Sequence, residues 1–234
     1  MTFVQIMECR TSRVDDVNRL MGSWIDETRG RRTATHAMVG ADRADRAHVV
    51  EIVEFSSYEQ AVRDSGLPET GRVFRETAAL CDEPPTFTDL DLVRDDRLDK
   101  AAVRRFFEQV ALGHLGVIDE LFAPDYRDHD HGNRVETRGT AALRDQARRW
   151  LKAFDFAFTV DSQLADADQV CTRWTWHGTH IGDFMGTPAT GRPAEVTGTT
   201  VFRFQDGRIK EGWWHWDVLG LMRHLGIPPG DRGR

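Results

Sequence analysis

Residues 196–226, VTGTTVFRFQDGRIKEGWWHWDVLGLMRHLG, decide the fold of the C-terminal half of the chain. Alternating side chains over residues 194–204 and 209–217 predict two long strands, and the Asp206-Gly207 pair between them predicts a tight hairpin turn. A short helix is expected over residues 219–225, because Gly226 and Pro228 would end it. The stretch therefore predicts an antiparallel hairpin followed by a closing helix.

The sequence before this hairpin predicts helices first and sheet afterwards. A helix beginning near Leu98 carries an apolar stripe, a second covers residues 117–122 and ends at Ala123-Pro124, and a third runs from Thr140 to about residue 153. Strands are expected over residues 154–164 and 170–177. This order predicts an α+β domain over residues 98–228, in which a curved sheet leaves a pocket between itself and the helices.

The first 95 residues show a different alternation of strand and helix signals. Strands are predicted over residues 2–9, 33–39, 48–55 and 86–93, and helices over 14–27 and over the broken segment 58–64 and 68–80. The order is βαββαβ, which is the ferredoxin-like pattern. A charged junction of aspartate and arginine between residues 95 and 99 separates the two domains, 1–95 and 98–228.

Composition excludes several classes of protein. The 234 residues carry a net charge of -7, which argues against a nucleic-acid partner. We expect no membrane partner, because no segment approaches the roughly 20 apolar residues that a membrane span requires. The N-terminus reads as a strand and not as an export signal, so that a cytoplasmic location is expected. Cys9, Cys81 and Cys171 are odd in number and far apart, which argues against disulfides.

Metal and cofactor sites are not predicted either. Asp128-His129-Asp130-His131 could supply alternate ligands to zinc or iron, but solvated loop polarity is the commoner explanation of such a run. The glycine-rich residues 178–191 lack the spacing of a phosphate-binding loop and are interpreted as a pocket rim or lid. We therefore expect neither a metal nor an organic cofactor.

Residues 98–228 resemble the SnoaL-like polyketide cyclases and ester cyclases, a branch of the nuclear transport factor two superfamily. The matching residues are Ala123-Pro124-Asp125-Tyr126, Asp128-His129, Arg173-Trp174-Thr175, Gly178-Thr179-His180, Gly182 to Gly186, Thr190-Gly191, Phe202-Arg203-Phe204, Asp206 to Ile209, Glu211, Trp213, Asp217, Leu219-Gly220-Leu221 and Leu225-Gly226. The resemblance implies a cone-shaped α+β barrel and an intramolecular aldol ring closure on an aromatic polyketide ester.

The resemblance implies that Asp217 is the catalytic acid/base, because it matches the family's catalytic aspartate. Strand residues two apart share a face, so we expect Glu211, Trp213, His215 and Asp217 to line the pocket together. His215 could then polarise a carbonyl or hold Asp217 in place. The alternative is that Asp217 caps the closing helix at Val218, and both roles could coexist.

Further residues are predicted to bind the substrate. The Asp-His pair opens the pocket in the family, which implies that His129 faces the substrate. Trp174 and Trp176 are interpreted as core aromatics, whereas the opposite, polar row of that strand is expected to contact a polyketide carbonyl. The predicted substrate-binding set is His129, Arg173, Thr175, His177, Phe184, Met185, Thr199 and Trp213.

Residues 1–95 resemble the dimeric α/β barrel proteins of the antibiotic-biosynthesis monooxygenase type. The resemblance implies a homodimer whose sheets meet across a two-fold axis. Trp24 and His36 are the candidates for chemistry here, although core packing is the commoner explanation of Trp24 and a satisfied structural role in a strand explains His36 equally well. We interpret this domain as a dimerisation module or a pocket wall.

Three functions stay open at this point. The leading one is a cofactor-free polyketide cyclase. The second is a cofactor-independent hydroxylase or monooxygenase on a polycyclic polyketide, and the third is a non-catalytic small-molecule binding protein. Oxygen consumption would separate the first two, and turnover lost on removal of Asp217 without loss of ligand binding would separate the first from the third.

Overall fold

The computed structural model describes residues 2–95, 97–130 and 137–227. The chain divides into two compact units, Met1–Asp95 and Asp96–Arg234. Both units combine a mainly antiparallel sheet with helices, so the mixed α+β class predicted from the sequence is confirmed. No helix among the described residues is long and apolar enough to cross a membrane.

The first unit contains four strands and three helices. The strands are β1 (Phe3–Arg10), β2 (Ala34–Ala41), β3 (His48–Phe55) and β4 (Thr86–Asp91), and they form one antiparallel sheet in the order β2-β3-β1-β4. The helices are α1 (Val14–Glu27), α2 (Tyr58–Ser65) and α3 (Pro68–Ala78). Val17, Met21 and Trp24 are the buried side chains of α1, as their helical spacing predicts.

The second unit contains the longer sheet. Its helices are α4 (Leu98–Ala111), α5 (Gly116–Leu121), α6 (Gly139–Ala153) and α7 (Val218–Leu225). Its strands are β5 (Phe122–Asp128), β6 (Thr137–Arg138), β7 (Phe154–Asp166), β8 (Gln169–His180), β9 (Pro193–Gln205) and β10 (Arg208–Trp216). Neighbouring strands follow the order β6-β5-β10-β9-β8-β7.

The hairpin predicted over residues 194–217 is present as β9 and β10. Gln205 pairs with Arg208 across a turn in which Asp206 and Gly207 both have positive φ, 51° and 74°. Gly207 adopts this conformation without the steric penalty of a Cβ atom, which explains the tightness of the turn. The closing helix α7 ends at Gly226, whose φ of 72° is left-handed.

Strand β5 was not predicted. Solvated loop polarity is the prediction for residues 128–131, but Phe122–Asp128 forms a strand that pairs in parallel with β10. Phe122, Tyr126 and Asp128 are buried, whereas Pro124 and Arg127 are exposed. The proline and three charged side chains conceal this alternation in the sequence. The strand matters for function, because it delivers Asp128 into the interior.

Candidate active site

A cavity of about 130 Å³ lies between the sheet of the second unit and helices α4 and α6. Aromatic side chains make most of its wall, and they touch one another edge to face. Trp214, for example, packs against Phe107 and Trp174 with ring centroids 5.7 and 6.0 Å apart. The aromatic lining residues are Phe106, Phe107, Trp150, Phe156, Phe158, Trp174, Trp176, Trp214 and Trp216.

Three side chains with carboxyl or amide groups line the described part of the cavity. They are Asp128 at the end of β5, Asp130 two residues later, and Gln146 on α6. The side chain of Asp128 is buried, and its Oδ1 accepts the backbone N–H of Asp130 at 2.9 Å. Asp130 Oδ2 lies 3.5 Å from the Trp216 indole nitrogen, which donates towards it. The polar groups are therefore concentrated at one end of an aromatic cavity.

Tyr126 is buried and Trp214 is half-buried beside this polar end. Burial raises the pKa of the Tyr126 hydroxyl well above its usual range, and the negative charge of Asp128 acts in the same direction. The nearby Trp214 indole opposes this shift, but neither Tyr126 Oη nor Trp214 Nε1 reaches a hydrogen-bond partner within the described residues. Tyr126 is thus a neutral hydroxyl at physiological pH.

The face of β10 that was predicted to line the cavity is the wrong one. Trp214 and Trp216 point into the cavity, so the alternating residues Trp213 and His215 lie on the opposite face, together with Glu211. His215 is exposed. The sequence shows which residues of a strand share a face, but both faces of β10 carry tryptophan and the pattern does not reveal which one is inward.

Asp217 lies at the end of this strand and caps the following helix. Its side chain is exposed, and Oδ1 accepts the backbone N–H of Gly220 at 2.7 Å. The capping alternative is therefore confirmed. Asp217 is not among the residues that line the described cavity, and its acid/base role remains a prediction beside the observed cap.

His129 also lies on the outer face of the sheet. Its ring stacks on Trp213, with centroids 4.9 Å apart and planes 16° apart, and its Nε2 is 3.8 Å from Glu211 Oε2. That distance allows electrostatic attraction but no hydrogen bond. Glu211 is held by Arg203 at 2.9 Å, which lowers the pKa of its carboxyl. His129 and Trp213 are brought together, but away from the cavity.

The polar row of β8 faces outward as well, contrary to expectation. Thr175 Oγ1 donates to Asp161 at 3.0 Å, Arg173 lies 3.7 Å from the same carboxylate, and His177 lies 3.3 Å from Glu195. Trp174 and Trp176 belong to the buried core, as predicted, and they also form part of the cavity wall. Thr199 pairs with Arg173 on one side and His215 on the other, so it shares their outward face.

The predicted rim residues occupy a turn between β8 and β9. Phe184 packs against Trp150 and Phe154, with centroids 5.3 and 4.9 Å apart, whereas the Met185 side chain is exposed. His180 was expected in this glycine-rich segment but is fully buried at the end of β8, with its Nδ1 near Thr190. Phe184 therefore supports a cavity-lining tryptophan without being part of the cavity lining itself.

Asp130, Gln146 and Trp150 are among the cavity residues that sequence reasoning did not select as site residues. A signal for the carboxylates exists, because Asp128 and Asp130 alternate behind the buried Tyr126 as residues of one strand face do. His131, the last residue of the run 128–131 that was weighed as a ligand set, lies outside the described residues. Within residues 2–95, 97–130 and 137–227, no three His, Cys, Asp or Glu side chains cluster as metal ligands would.

Comparisons with known proteins agree on the second unit. Residues 101–225 match the family described as SnoaL-like polyketide cyclase. Aklanonic acid methyl ester cyclase DnrD from Streptomyces peucetius is 29% identical over 133 residues, which is 54% of this chain and 89% of that protein.

Two solved structures extend the comparison to the fold. TsrD from Streptomyces laurentii superposes with a TM-score of 0.52 and 29% identity, covering 57% of this chain and 99% of its own. AclR from Streptomyces galilaeus, a proposed hydroxylase, gives a TM-score of 0.50 and 30% identity over 56% of this chain and 96% of its own. Because the family match spans more than half of the 234 residues, the chain belongs to the SnoaL-like polyketide cyclase family.

Proposed function

We propose that this protein is a cofactor-free polyketide cyclase that closes a ring in an aromatic polyketide ester by intramolecular aldol addition. The observation that carries the proposal is the pair of carboxylates, Asp128 and Asp130, at one end of an aromatic cavity in the cyclase-family unit. Planar walls suit an aromatic substrate, and a carboxylate at the end of the cavity suits proton transfer. The similarity to DnrD supports a polyketide ester as the substrate class.

In this proposal Asp130 is the general acid/base. Its carboxylate removes a proton from a CH group between two carbonyls, and the resulting enolate carbon attacks a ketone of the same molecule. A carbon–carbon bond forms, the ketone π bond becomes an alkoxide, and Asp130 returns its proton to that oxygen. Asp128 is a positioning residue, because its Oδ1 holds the backbone N–H of Asp130. An enzyme that also holds the substrate in its folded conformation needs little more to close the ring.

The size of the cavity fits one ring of the substrate. An engineered protein cavity of about 150 Å³ accommodates benzene, and the cavity here measures about 130 Å³. We propose that the ring being closed enters the cavity and that the remainder of the polyketide extends through its mouth. Asp130 lies at only partial burial, which is compatible with a position where the cavity meets solvent.

Two matched variants test the assignment. Asp130→Asn removes the proton acceptor from the cavity, so turnover of aklanonic acid methyl ester should fall by about 10²- to 10⁴-fold with a smaller effect on binding. Asp217→Asn retains a capping side chain and should keep turnover within a few-fold of the wild type. Single-turnover rates and melting temperatures are measured for both variants. The reverse pattern of rates would assign the chemistry to Asp217.

A hydroxylase is the second candidate, because the similarity to AclR is of the same extent as the similarity to the cyclases. Oxygen uptake during turnover, with a hydroxylated product of mass about 16 Da above the substrate, would favour it. A cyclase gives a product of unchanged mass, since intramolecular aldol addition adds and removes no atoms. A protein that binds the ester but converts none of it would support the non-catalytic alternative.

We further propose that the first unit is a ferredoxin-like dimeric α/β barrel domain and that the enzyme is a cytoplasmic homodimer. The sheet order β2-β3-β1-β4 and the antiparallel pairing of every neighbour support the ferredoxin-like classification. The apolar strip that Met38, Ile52 and Ile6 form on the open face of this sheet supports the dimer.

A further inference from the structure

A second cavity, of about 340 Å³, lies within the first unit between its sheet and helices α1 and α3. Its apolar wall includes Met7, Met21, Trp24, Phe74 and Phe87. The rings of Phe74 and Phe87 are 5.5 Å apart, and the Trp24 indole is fixed by donating to Thr70 Oγ1 at 2.9 Å. This cavity is formed by residues that the proposed cyclase reaction does not use.

Glu51 projects into this cavity from the middle of β3. It pairs with Met7 of β1 and Val39 of β2, so apolar neighbours flank it in the sheet. Its carboxyl group has no hydrogen bond or ion pair in the part of the chain that the structure describes. Burial alone raises its pKa to about 7. The Glu51 carboxyl group is therefore a hydrogen-bond acceptor in the cavity for which the described residues supply no donor.

Asp64 adds a second carboxyl group to the same lining. Its side chain is only 2% exposed. Oδ1 accepts the backbone N–H of Thr33 at 2.6 Å and lies 3.2 Å from the Thr33 hydroxyl, whereas Oδ2 is buried and has no hydrogen-bond partner among the described residues. A buried carboxylate oxygen without a partner is costly, so it indicates a missing donor.

Neither carboxyl group meets a basic side chain in the cavity. The described lining contains no Lys, Arg or His, and the residues that α1, α3, β2 and β4 turn towards Glu51 are uncharged. From β1 the Cys9 thiol neighbours Glu51, but burial and the adjacent Cys81 raise its pKa to about 12, so it is neutral. On α3, Arg72 pairs at the surface with Glu27 and Glu76, and Arg75 lies beside Gly71 without lining the cavity.

We propose that this cavity is a binding site for an organic ammonium ion with an apolar body, whose nitrogen pairs with Glu51, and that Asp64 adds negative charge to the same lining. A cation supplies the donors and the charge that both carboxyl groups lack, and the faces of Trp24 and the two phenylalanines attract it in addition. A neutral ligand would leave the carboxylates uncompensated. An anionic ligand would be repelled by them.

The test is calorimetric titration of the full-length protein with 2-phenylethylammonium, whose N–H groups can donate and which stays protonated between about pH 6 and about pH 8, and with its uncharged isostere 2-phenylethanol. Wild-type protein should bind the cation in the first unit and bind the isostere at least about tenfold more weakly. Because Glu51 ionises near pH 7, affinity for the cation should rise about tenfold between about pH 6 and about pH 8.

Two variants locate the site. Glu51→Gln is nearly isosteric and should abolish the rise in affinity with pH and weaken cation binding at pH 8 by about tenfold or more. Glu54→Gln changes a carboxyl group on the opposite face of the same strand, beside His36, and should leave both properties unchanged. The carboxyl carbon resonance of Glu51 should titrate at lower pH when the cation is bound. Equal affinity for the isostere, no binding of the cation, or an unaltered Glu51→Gln variant would each overturn the proposal.

Discussion

Asp217 and Asp130 show how local bonding separates two carboxylates that look alike in the sequence. One oxygen of Asp217 accepts the Gly220 N–H, and Gly220 approaches this carboxylate so closely that a Cβ at that position would collide with it. The whole first turn of α7 is therefore organised around Asp217. Asp130 follows a strand end, lines the cavity and lies beside the Trp216 indole. Position relative to the cavity, and not residue type, favours Asp130 for chemistry.

Glu51 should make the first unit less stable as pH rises. The carboxyl group has an ordinary pKa of 4.5 when the chain is unfolded and a pKa of about 7 when it is folded, because burial disfavours its charge. Its contribution is fully present below about pH 4.5 and is lost as pH rises through about 7. The difference between these two pKa values corresponds to as much as about 3 kcal/mol of unfolding free energy.

Glu51→Gln should remove this part of the pH dependence. The unfolding free energy of the variant relative to the wild type should rise from about pH 4 to about pH 8, whatever constant offset the amide introduces. Urea denaturation, followed through the NMR signals of β3, measures the unfolding free energy of the first unit. Glu54→Gln, on the opposite face of the strand, should show no such slope. Parallel curves for the wild type and Glu51→Gln would contradict the assignment of the shift to Glu51.

At the scale of elements, the strands and helices were largely predictable, whereas the inward faces were not. The β9–β10 hairpin follows from the Asp206-Gly207 turn and from period-two alternation, which are local properties of the chain. The inward face depends on which side α4 and α6 cover, which is a property of the tertiary fold. This is why Arg173, His177 and His215 were assigned to the cavity and Trp174 and Trp176 were not.

Glycines in neighbouring strands contain a signal that could have identified the inward face. Gly198 of β9 pairs with Trp174 of β8, and Gly178 stands two residues beyond Trp176 on β8 itself. A Cβ atom at either glycine would collide with the indole of the tryptophan concerned. A glycine in a strand often marks a close approach. Here the two glycines make room for the tryptophans that form the cavity wall.

Gly198→Ala should therefore damage both stability and activity. The added methyl group meets the Trp174 ring and lies 2.9 Å from the His215 carbonyl oxygen, so the indole must move within a packed aromatic cluster. Overpacking of this kind typically costs about 1–3 kcal/mol. We expect a lower melting temperature together with a reduced turnover, because Trp174 lines the cavity.

Gly116→Ala is the matched control within the same unit. Gly116 is the first residue of α5, and a Cβ at that position would have no atom within 4 Å. Alanine also restricts the unfolded chain, so stability should be unchanged or higher by up to about 1 kcal/mol. If both variants behaved alike, the close approach of Gly198 to Trp174 would not be important.

At the scale of the whole molecule, the sheet of the first unit has two unlike faces. One face carries Met7, Glu51 and Phe87 and packs with α1 and α3 around the second cavity. On the other face, Met38 of β2, Ile52 of β3 and Ile6 of β1 lie side by side in register. Met38 and, on β4, Leu90 are each 40% exposed. A continuous apolar strip on an open sheet is typical of an interface.

A second copy of the same chain is the partner that we expect on this strip. Each copy presents the same apolar strip, so a two-fold axis would make it self-complementary, which is the commonest symmetry of soluble oligomers. The wild-type protein should therefore have twice the 26.7 kDa chain mass in light scattering at micromolar concentration. Ile52→Arg places a charge in the middle of the strip and should yield the monomer mass, because an unpaired buried charge is strongly unfavourable.

Val62→Arg is the control, because it introduces the same charge at a position on α2 that is 52% exposed, and it should leave the dimer intact. A wild-type protein of monomer mass would reject the dimer, and an Ile52→Arg variant that still dimerises would place the interface on another surface.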